Sequence, residues 1–268
     1  MFPYKSYNTY VNKTEYTGQL DPMGLKRINN ETKKNFKPIE NMPNIYNLSL
    51  HDDIFIYQEV DMTKLSFMII GNKDTPYENG FFIFNMYIPH NYPTQSPYVH
   101  FMTHYKNTRF HPNLYENGKV CLSILGTWSG PGWTKAMSIQ TVIITIQSLM
   151  DEHPMVNEPG HEKDIGTEHE INYNYGISYM NIKCTIHQLS EWITQVKEKA
   201  EFINPFGRIM QDYFLKNFDL YITSLEKLQT VNMKTLSTMW ATNSIKIDID
   251  TTKKELNKLK TELETIMK

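Results

Sequence analysis

Four apolar runs between Asp53 and Thr103 constrain this chain more tightly than anything else in it. Asp53 to Val60 and Lys64 to Ile70 are separated only by Asp61-Met62-Thr63, the length of a hairpin connection. Gly80 to Pro89, carrying Phe81, Phe82, Phe84, Met86, Tyr87 and Ile88, is the third run, and Tyr98 to Thr103 the fourth. The stretch from Gly71 to Gly80 is dense in turn formers. Consecutive strands joined this closely make an antiparallel meander, one face of which must be covered. A covering helix follows: Ser138 caps it, and Ile139, Val142, Ile143, Ile146, Leu149 and Met150 recur at the three-four spacing of a core-facing stripe. A first helix is predicted from Asp21 as N-cap and Pro22 at the first helical position, with Leu25, Ile28 and Phe36 as its apolar residues and Pro38 and Pro43 ending it. The fold class is therefore α+β.

The texture changes after the Pro-broken acidic loop Asp151 to Gly160. Residues 161–178 are polar with scattered Tyr, and helical periods run over about 179–203, 208–230 and 252–267, interrupted by Pro205-Phe206-Gly207. Thr252-Lys253-Lys254-Glu255 fits a capping box. Leu256, Leu259, Leu263 and Ile266 suit either a short coiled coil or a helix folded back on its own domain. The expected organisation is a loose arm over 1–20, a core over 21–165 and a helical extension over 166–268.

The 268 residues carry a formal charge of −2, so the overall balance asks for no nucleic acid partner. Residues 1–48 hold seven Lys and Arg against four acids, which is either a solvated surface or a basic face for an acidic partner. No apolar run is long enough to span a bilayer, and MFPYKSYNTY lacks the apolar core of a secretory signal. Two cysteines make no disulfide framework. A cytosolic or nuclear protein without membrane contact is expected.

One of those cysteines sits in unusual surroundings. Cys121 lies in FHPNLYENGKVCLSILGTWSGPGW, residues 110–133, with Gly and Pro on both sides. That composition predicts an exposed thiol on irregular backbone. Cys184, in an apolar helical setting, reads as a small buried hydrophobe. No second cysteine stands near Cys121 and His111 lacks partners at zinc spacing, so no metal is expected there. A Cys-His hydrolase would need a histidine such as His153, His161, His169 or His187, and none lies in a recognisable protease segment.

The order of motifs resembles that of ubiquitin-conjugating enzymes over about residues 20–165. The resemblance rests on Leu25-Lys26-Arg27-Ile28, Thr75-Pro76-Tyr77-Glu78-Asn79-Gly80, Ile88-Pro89-His90-Asn91-Tyr92-Pro93, His111-Pro112-Asn113 and Gly118-Lys119-Val120-Cys121-Leu122-Ser123-Ile124-Leu125. Gly126 to Trp133, Asn157-Glu158-Pro159-Gly160, and the tail segments Asp212-Tyr213-Phe214 and Phe218-Asp219-Leu220-Tyr221 are similar to the large Z-type members. The resemblance implies a transferase. Cys121 would take ubiquitin, or a ubiquitin-like modifier, from an activating enzyme as a thioester and pass it to a substrate lysine or a ligase. No cofactor is implied, because ATP is consumed by the activating enzyme.

Roles carried over from the resemblance are specific. Asn113 matches the asparagine that either bonds the oxyanion or supports its loop, and Glu158 the acid that gates the incoming amine. Phe110 matches a residue that helps desolvate the lysine, and His111 one that holds a turn. A lysine amine with a pKa near 10.4 must lose its proton, and burial against apolar groups lowers that value. Lys26, Arg27, Tyr92, Pro93, Thr94, Trp133, Lys135 and Ala136 match the partner-binding surface. Thr94 stands where many members have an aromatic residue, and Trp133-Thr134-Lys135-Ala136 replaces their Trp-Ser-Pro-Ala, so the usual RING-ligase surface is altered. A non-catalytic adaptor of the same fold, binding ubiquitin or a ligase, is the alternative function.

Overall fold

A computed structural model describes residues 20–200, 203–236 and 245–266. Of the expected N-terminal arm, residues 1–19 lie outside the described residues. The chain forms two units interleaved in sequence. One takes the chain up to Ile69 with Ile83–Met102 and Asn117–Ser148, and the other takes Ile70–Phe82, Thr103–Glu116 and Leu149–Lys268. This division by contact is not the division by motif, a core over 21–165 and a helical extension over 166–268. The tail shares its unit with two earlier segments, because its side chains supply hydrogen bonds that those segments' backbone needs.

In the first unit, helix α1 (Pro22–Asn35) starts as its sequence dictates: the Asp21 side chain accepts the Gly24 N–H at 2.6 Å and Pro22 opens the first turn. Ile28 is buried, but Leu25 is exposed, and Phe36 lies past the helix end in β1 (Phe36–Pro38). β1 is followed by β2 (Ile45–Leu48), β3 (His51–Gln58), β4 (Lys64–Ile70), β5 (Phe81–Tyr87) and β6 (Tyr98–Phe101). These make a six-stranded sheet whose spatial order is the chain order. The meander thus has two strands more than the sequence announces; β1 and β2 are short and flanked by Pro38 and Pro43, which hid their period. Ile54 faces Ile69 and Ile56 faces Phe67 in the antiparallel β3–β4 pair. Helix α2 (Ile139–Leu149) buries Ile139, Val142, Ile143 and Ile146, and the Ser138 hydroxyl accepts the Thr141 N–H at 3.1 Å.

One buried carboxylate ties α1 to the start of α2. Glu31 accepts the Arg27 guanidinium on its own helix, the Tyr92 hydroxyl at 2.8 Å and the Ile139 N–H at 2.9 Å. The last bond satisfies an orphan donor at the α2 N-terminus, where a negative charge is also favoured by the helix dipole. Arg27 reaches on to the Met137 carbonyl at 3.0 Å.

In the second unit, helix α3 (Glu168–Lys197) begins well before the predicted residue 179, with Thr167 as N-cap. Its first turns are polar to solvent, but Glu170, Tyr173 and Ile177 form a buried stripe that the polar composition masked. Helices α4 (Gly207–Lys216) and α5 (Phe218–Glu226) divide the predicted 208–230 segment at Asn217. The two-residue strands β7 (Thr235–Leu236) and β8 (Ile245–Lys246) precede helix α6 (Ile249–Ile266). Thr252 is therefore inside α6 and not its cap. The Asp248 side chain accepts the Thr251 N–H at 3.0 Å instead, and buried Thr252 meets the Tyr179 hydroxyl at 3.1 Å. Leu256, Leu259 and Leu263 are buried, and Gln211 of α4 donates to the Leu263 carbonyl at 2.9 Å, so α6 folds back on its own unit.

The tail grips the Gly71–Gly80 loop of the same unit. Tyr221 donates to the Asn79 carbonyl at 2.6 Å, Tyr213 to the Asn79 Oδ1 at 2.9 Å, and Asn181 to the Glu78 carbonyl at 3.0 Å. A Cβ on Gly80 would lie 1.8 Å from the Asn181 Oδ1, so only glycine lets Asn181 approach. In urea titrations, Glu31→Ala is expected to cost about 3 kcal/mol, because it strands the Tyr92 hydroxyl and the Ile139 N–H. Glu31→Gln, which keeps an acceptor, should cost clearly less.

Candidate active site

Cys121 is placed by an added strand-like segment. The Phe101 N–H donates to the Gly118 carbonyl at 2.8 Å and Lys119 bridges to His100, so residues 118–120 run beside β6 and deliver Cys121 at their end. Gly118 has φ +83, and a Cβ there would meet the His100 ring at 2.1 Å. Both facts require glycine.

The thiol is not exposed as expected: Cys121 is 2% exposed. Its sulfhydryl donates to the Thr127 carbonyl at 3.2 Å. The Gly and Pro residues do make a loop, but the loop closes on itself. Ser123–Leu125 form a 3-10 turn ended by Gly126 at φ +69. The Thr127 hydroxyl then accepts the Leu122 N–H at 2.9 Å and donates to the Val120 carbonyl at 2.7 Å, and the Thr127 N–H donates to the Leu122 carbonyl at 3.2 Å. Leu122 to Thr127 therefore folds back on the sulfur. Cys184 is buried in α3, and burial pushes its thiol pKa far up, which makes it inert at neutral pH.

Phe110, His111, Asn113 and Glu158 belong to the second unit. Phe110 is fully buried, edge-on to Phe82 at 5.8 Å, and its carbonyl accepts the Tyr77 hydroxyl at 3.0 Å and the Tyr173 hydroxyl at 3.4 Å. This corrects its expected role: a ring packed into an aromatic core presents no apolar surface to a lysine. His111 is equally buried, and its Nδ1 accepts the Asn113 N–H at 2.9 Å. Burial lowers the ring's pKa to about 3, with the Leu149 backbone opposing and Arg109 reinforcing the shift. A neutral ring holding the turn by its Nδ1 is a brace rather than a general base. Asn113 is half-buried, its backbone fixed by that bond.

Glu158 is half-buried and ends the 3-10 turn Pro154–Asn157, its N–H donating to the Met155 carbonyl at 3.0 Å. Its carboxylate lies 3.7 Å from Arg109, a residue the sequence did not single out. The Arg109 guanidinium also bonds the Pro112 carbonyl and stacks at 3.8 Å over Tyr115. Arg109 thus joins the His-Pro-Asn turn to Glu158. Nothing in the sequence relates residues 109 and 158. Glu31 was legible in principle, since Arg27 and Glu31 have the i,i+4 spacing of a helical ion pair.

Of the residues expected at a partner surface, Lys26, Thr94, Lys135 and Ala136 are exposed. Pro93 and Trp133 are half-buried, and the Trp133 indole N–H donates to the Pro93 carbonyl at 2.9 Å, joining the two loops. Tyr92 is a correction: it is fully buried, with its hydroxyl on Glu31 and its pKa raised by burial and that carboxylate. Arg27 is committed to Glu31 and Met137 instead of to a partner.

Two outcomes test this geometry. Thr127→Val removes the hydroxyl that closes the loop, and alkylation of Cys121 by iodoacetamide, followed by peptide mapping, is expected to quicken about fivefold, the equivalent of about 1 kcal/mol. Native His111 stays neutral while the unfolded ring takes up a proton near pH 6.5, so its contribution to stability is full above 6.5 and is lost as pH falls toward 3. The urea midpoint of the wild type should therefore fall between about pH 6.5 and 5, above the usual carboxylate range, and His111→Asn should flatten that slope.

Comparison with known proteins agrees with these motifs. A family model described as ubiquitin-conjugating enzyme matches residues 27–176. The human protein named "Ubiquitin-conjugating enzyme E2 Z" is 46% identical over 163 residues, covering 60% of this chain and 44% of that protein. Its Xenopus tropicalis namesake is 44% identical over 162 residues, covering 60% and 50%. "Probable ubiquitin-conjugating enzyme protein 17" of Caenorhabditis elegans is 36% identical over 186 residues, covering 64% and 26%. The chain spans half or less of the length of these relatives. With its meander, its His-Pro-Asn turn and a cysteine eight residues after Asn113, the chain belongs to the ubiquitin-conjugating enzyme family and is similar to its Z-type members.

Proposed function

We propose that this chain is a ubiquitin-conjugating transferase that carries ubiquitin, or a ubiquitin-like modifier, as a thioester on Cys121. The reading is carried by Cys121 itself, standing at the family's thiol position at the end of the segment that pairs with β6. The Cys121 thiolate attacks the thioester carbonyl that joins the modifier to the activating enzyme and expels that enzyme's thiolate. A lysine amine, or a ligase thiol, then attacks the new thioester and expels the Cys121 thiolate. Exchange of one thioester for another is nearly balanced and the sulfur nucleophile is intrinsically strong, so no dedicated base is required for charging.

Charging requires the Leu122–Thr127 loop to release the sulfur. Breaking its few hydrogen bonds in exchange for water costs about 3 kcal/mol, a local opening well below the stability of a domain. In the aminolysis step Asn113 donates to the oxyanion, and Glu158 orients the amine and accepts its proton, its position fixed by Arg109. Lys26, Thr94, Lys135 and Ala136 supply the surface for the activating enzyme and for a ligase. The few cysteines, both free, suit a cytosolic or nuclear setting.

The buried thiol favours a second reading, a non-catalytic adaptor that uses the same fold to bind ubiquitin or a ligase. The two readings separate in a charging reaction with ATP and a panel of activating enzymes and modifiers. The transferase gives a reductant-sensitive adduct of one modifier, absent in Cys121→Ala, whereas the adaptor gives none with any pair. Once charged, Asn113→Ala is expected to slow discharge to free lysine by about 10²-fold or more. Glu158→Gln should slow discharge by up to about 10²-fold while leaving charging intact.

A further inference from the structure

Beyond Glu158 the chain runs through a tight, polar segment into α3, and three side chains there converge. His161 Nδ1 lies 2.6 Å from Asp164 Oδ2, and His169 Nδ1 lies 3.4 Å from the same oxygen. One donor atom from each of the three residues falls within 4.8 Å of the others, and the two imidazole rings sit 5.5 Å apart at 57°. Both rings turn the same nitrogen to a single carboxylate oxygen.

Backbone structure sets this arrangement. The His161 N–H donates to the Glu158 carbonyl and the Asp164 N–H to the His161 carbonyl, each at 3.1 Å. The Asp164 carbonyl accepts the Thr167 N–H at 3.0 Å and the Thr167 hydroxyl at 2.7 Å. Gly166 at φ +75 turns the chain, and its N–H donates to buried Glu170 at 2.6 Å. Glu170 in turn accepts from His153 at 2.8 Å, so the segment is pinned on both sides. His169 stands in the first turn of α3, two residues after the N-cap Thr167.

We propose that His161, Asp164 and His169 form a binding site for a divalent transition-metal ion, zinc by the chemistry of its donors. Two neutral imidazole nitrogens and one carboxylate oxygen are zinc's preferred ligand types, and three protein ligands leave a fourth position for water. Zinc bonds of about 2.0–2.2 Å place donor atoms about 3.3 Å apart in a tetrahedron. The His169–Asp164 separation already has that length, and the His161–Asp164 separation has only to open slightly. The H-x2-D-x4-H spacing is not a recognised zinc signature, so no metal is legible in the sequence. A bound ion would staple the segment following Glu158 to the first turn of α3, a structural role separate from any chemistry at Cys121.

Calorimetric titration of Zn2+ into the full chain tests the site. One-to-one binding is expected, weakened about tenfold or more in His169→Ala and in Asp164→Asn and retained in Cys121→Ser. Circular dichroism checks that each variant folds. A variant-free reading comes from diethylpyrocarbonate labelling of the wild type with peptide mapping: Zn2+ should protect His161 and His169 and leave His187 as reactive as before. No Zn2+ binding, undiminished binding in both folded ligand variants, loss of binding in Cys121→Ser, or unprotected His161 and His169 would each overturn the proposal.

Discussion

Backbone that is both irregular and buried has to find hydrogen-bond partners among side chains, and that requirement shapes both units of this protein. In the second unit the carbonyls of Glu78, Asn79 and Phe81 are met by Asn181, Tyr221 and Gln188, while the Phe110 carbonyl is met by Tyr77 and Tyr173. In the first, the Ile139 N–H is met by Glu31 and the Val120 carbonyl by Thr127. Thr127 acts within its own loop, seven residues from Val120, and the other side chains come from helices and turns far away in sequence.

This accounts for the helical tail in physical terms. Tyr213 and Tyr221 are not decorations on an extension. Together with Asn181 they complete the polar interior around the Gly71–Gly80 loop, and Gly80 is small so that Asn181 can come close. Truncating one donor while the rest of the tail stays packed would strand a buried carbonyl, at a cost of about 1–3 kcal/mol. The tail is thus part of the packing that holds the Gly71–Gly80 loop.

The same accounting governs Cys121. A loop of glycine and proline would leave a thiol open, yet a single hydroxyl, that of Thr127, satisfies both the Leu122 N–H and the Val120 carbonyl and draws the loop over the sulfur. A thiol covered in this way is shielded from adventitious oxidation and alkylation, since reactivity follows access as well as ionisation. His111, held neutral by burial, and Arg109, shared among Pro112, Tyr115 and Glu158, fix the His-Pro-Asn turn with comparable economy.

Local rules were enough to read the Asp21-Pro22 helix start, the strand from Lys64 to Ile70, the strand within Gly80 to Pro89 and the stripe of α2, because capping, alternation and three-four spacing act within a few residues. Family membership was legible for a similar reason, being written in contiguous motifs. The short strands β1 and β2 and the polar first turns of α3 escaped, since their stability comes from neighbours and not from their own period. Whether Phe110 and Tyr92 faced solvent, whether the sulfur was open, and which cation met Glu158 were settled only when distant segments met. Sequence records which groups a residue can satisfy; folding alone decides which of them comes within 3 or 4 Å, because burial and hydrogen bonding are properties of the assembled neighbourhood.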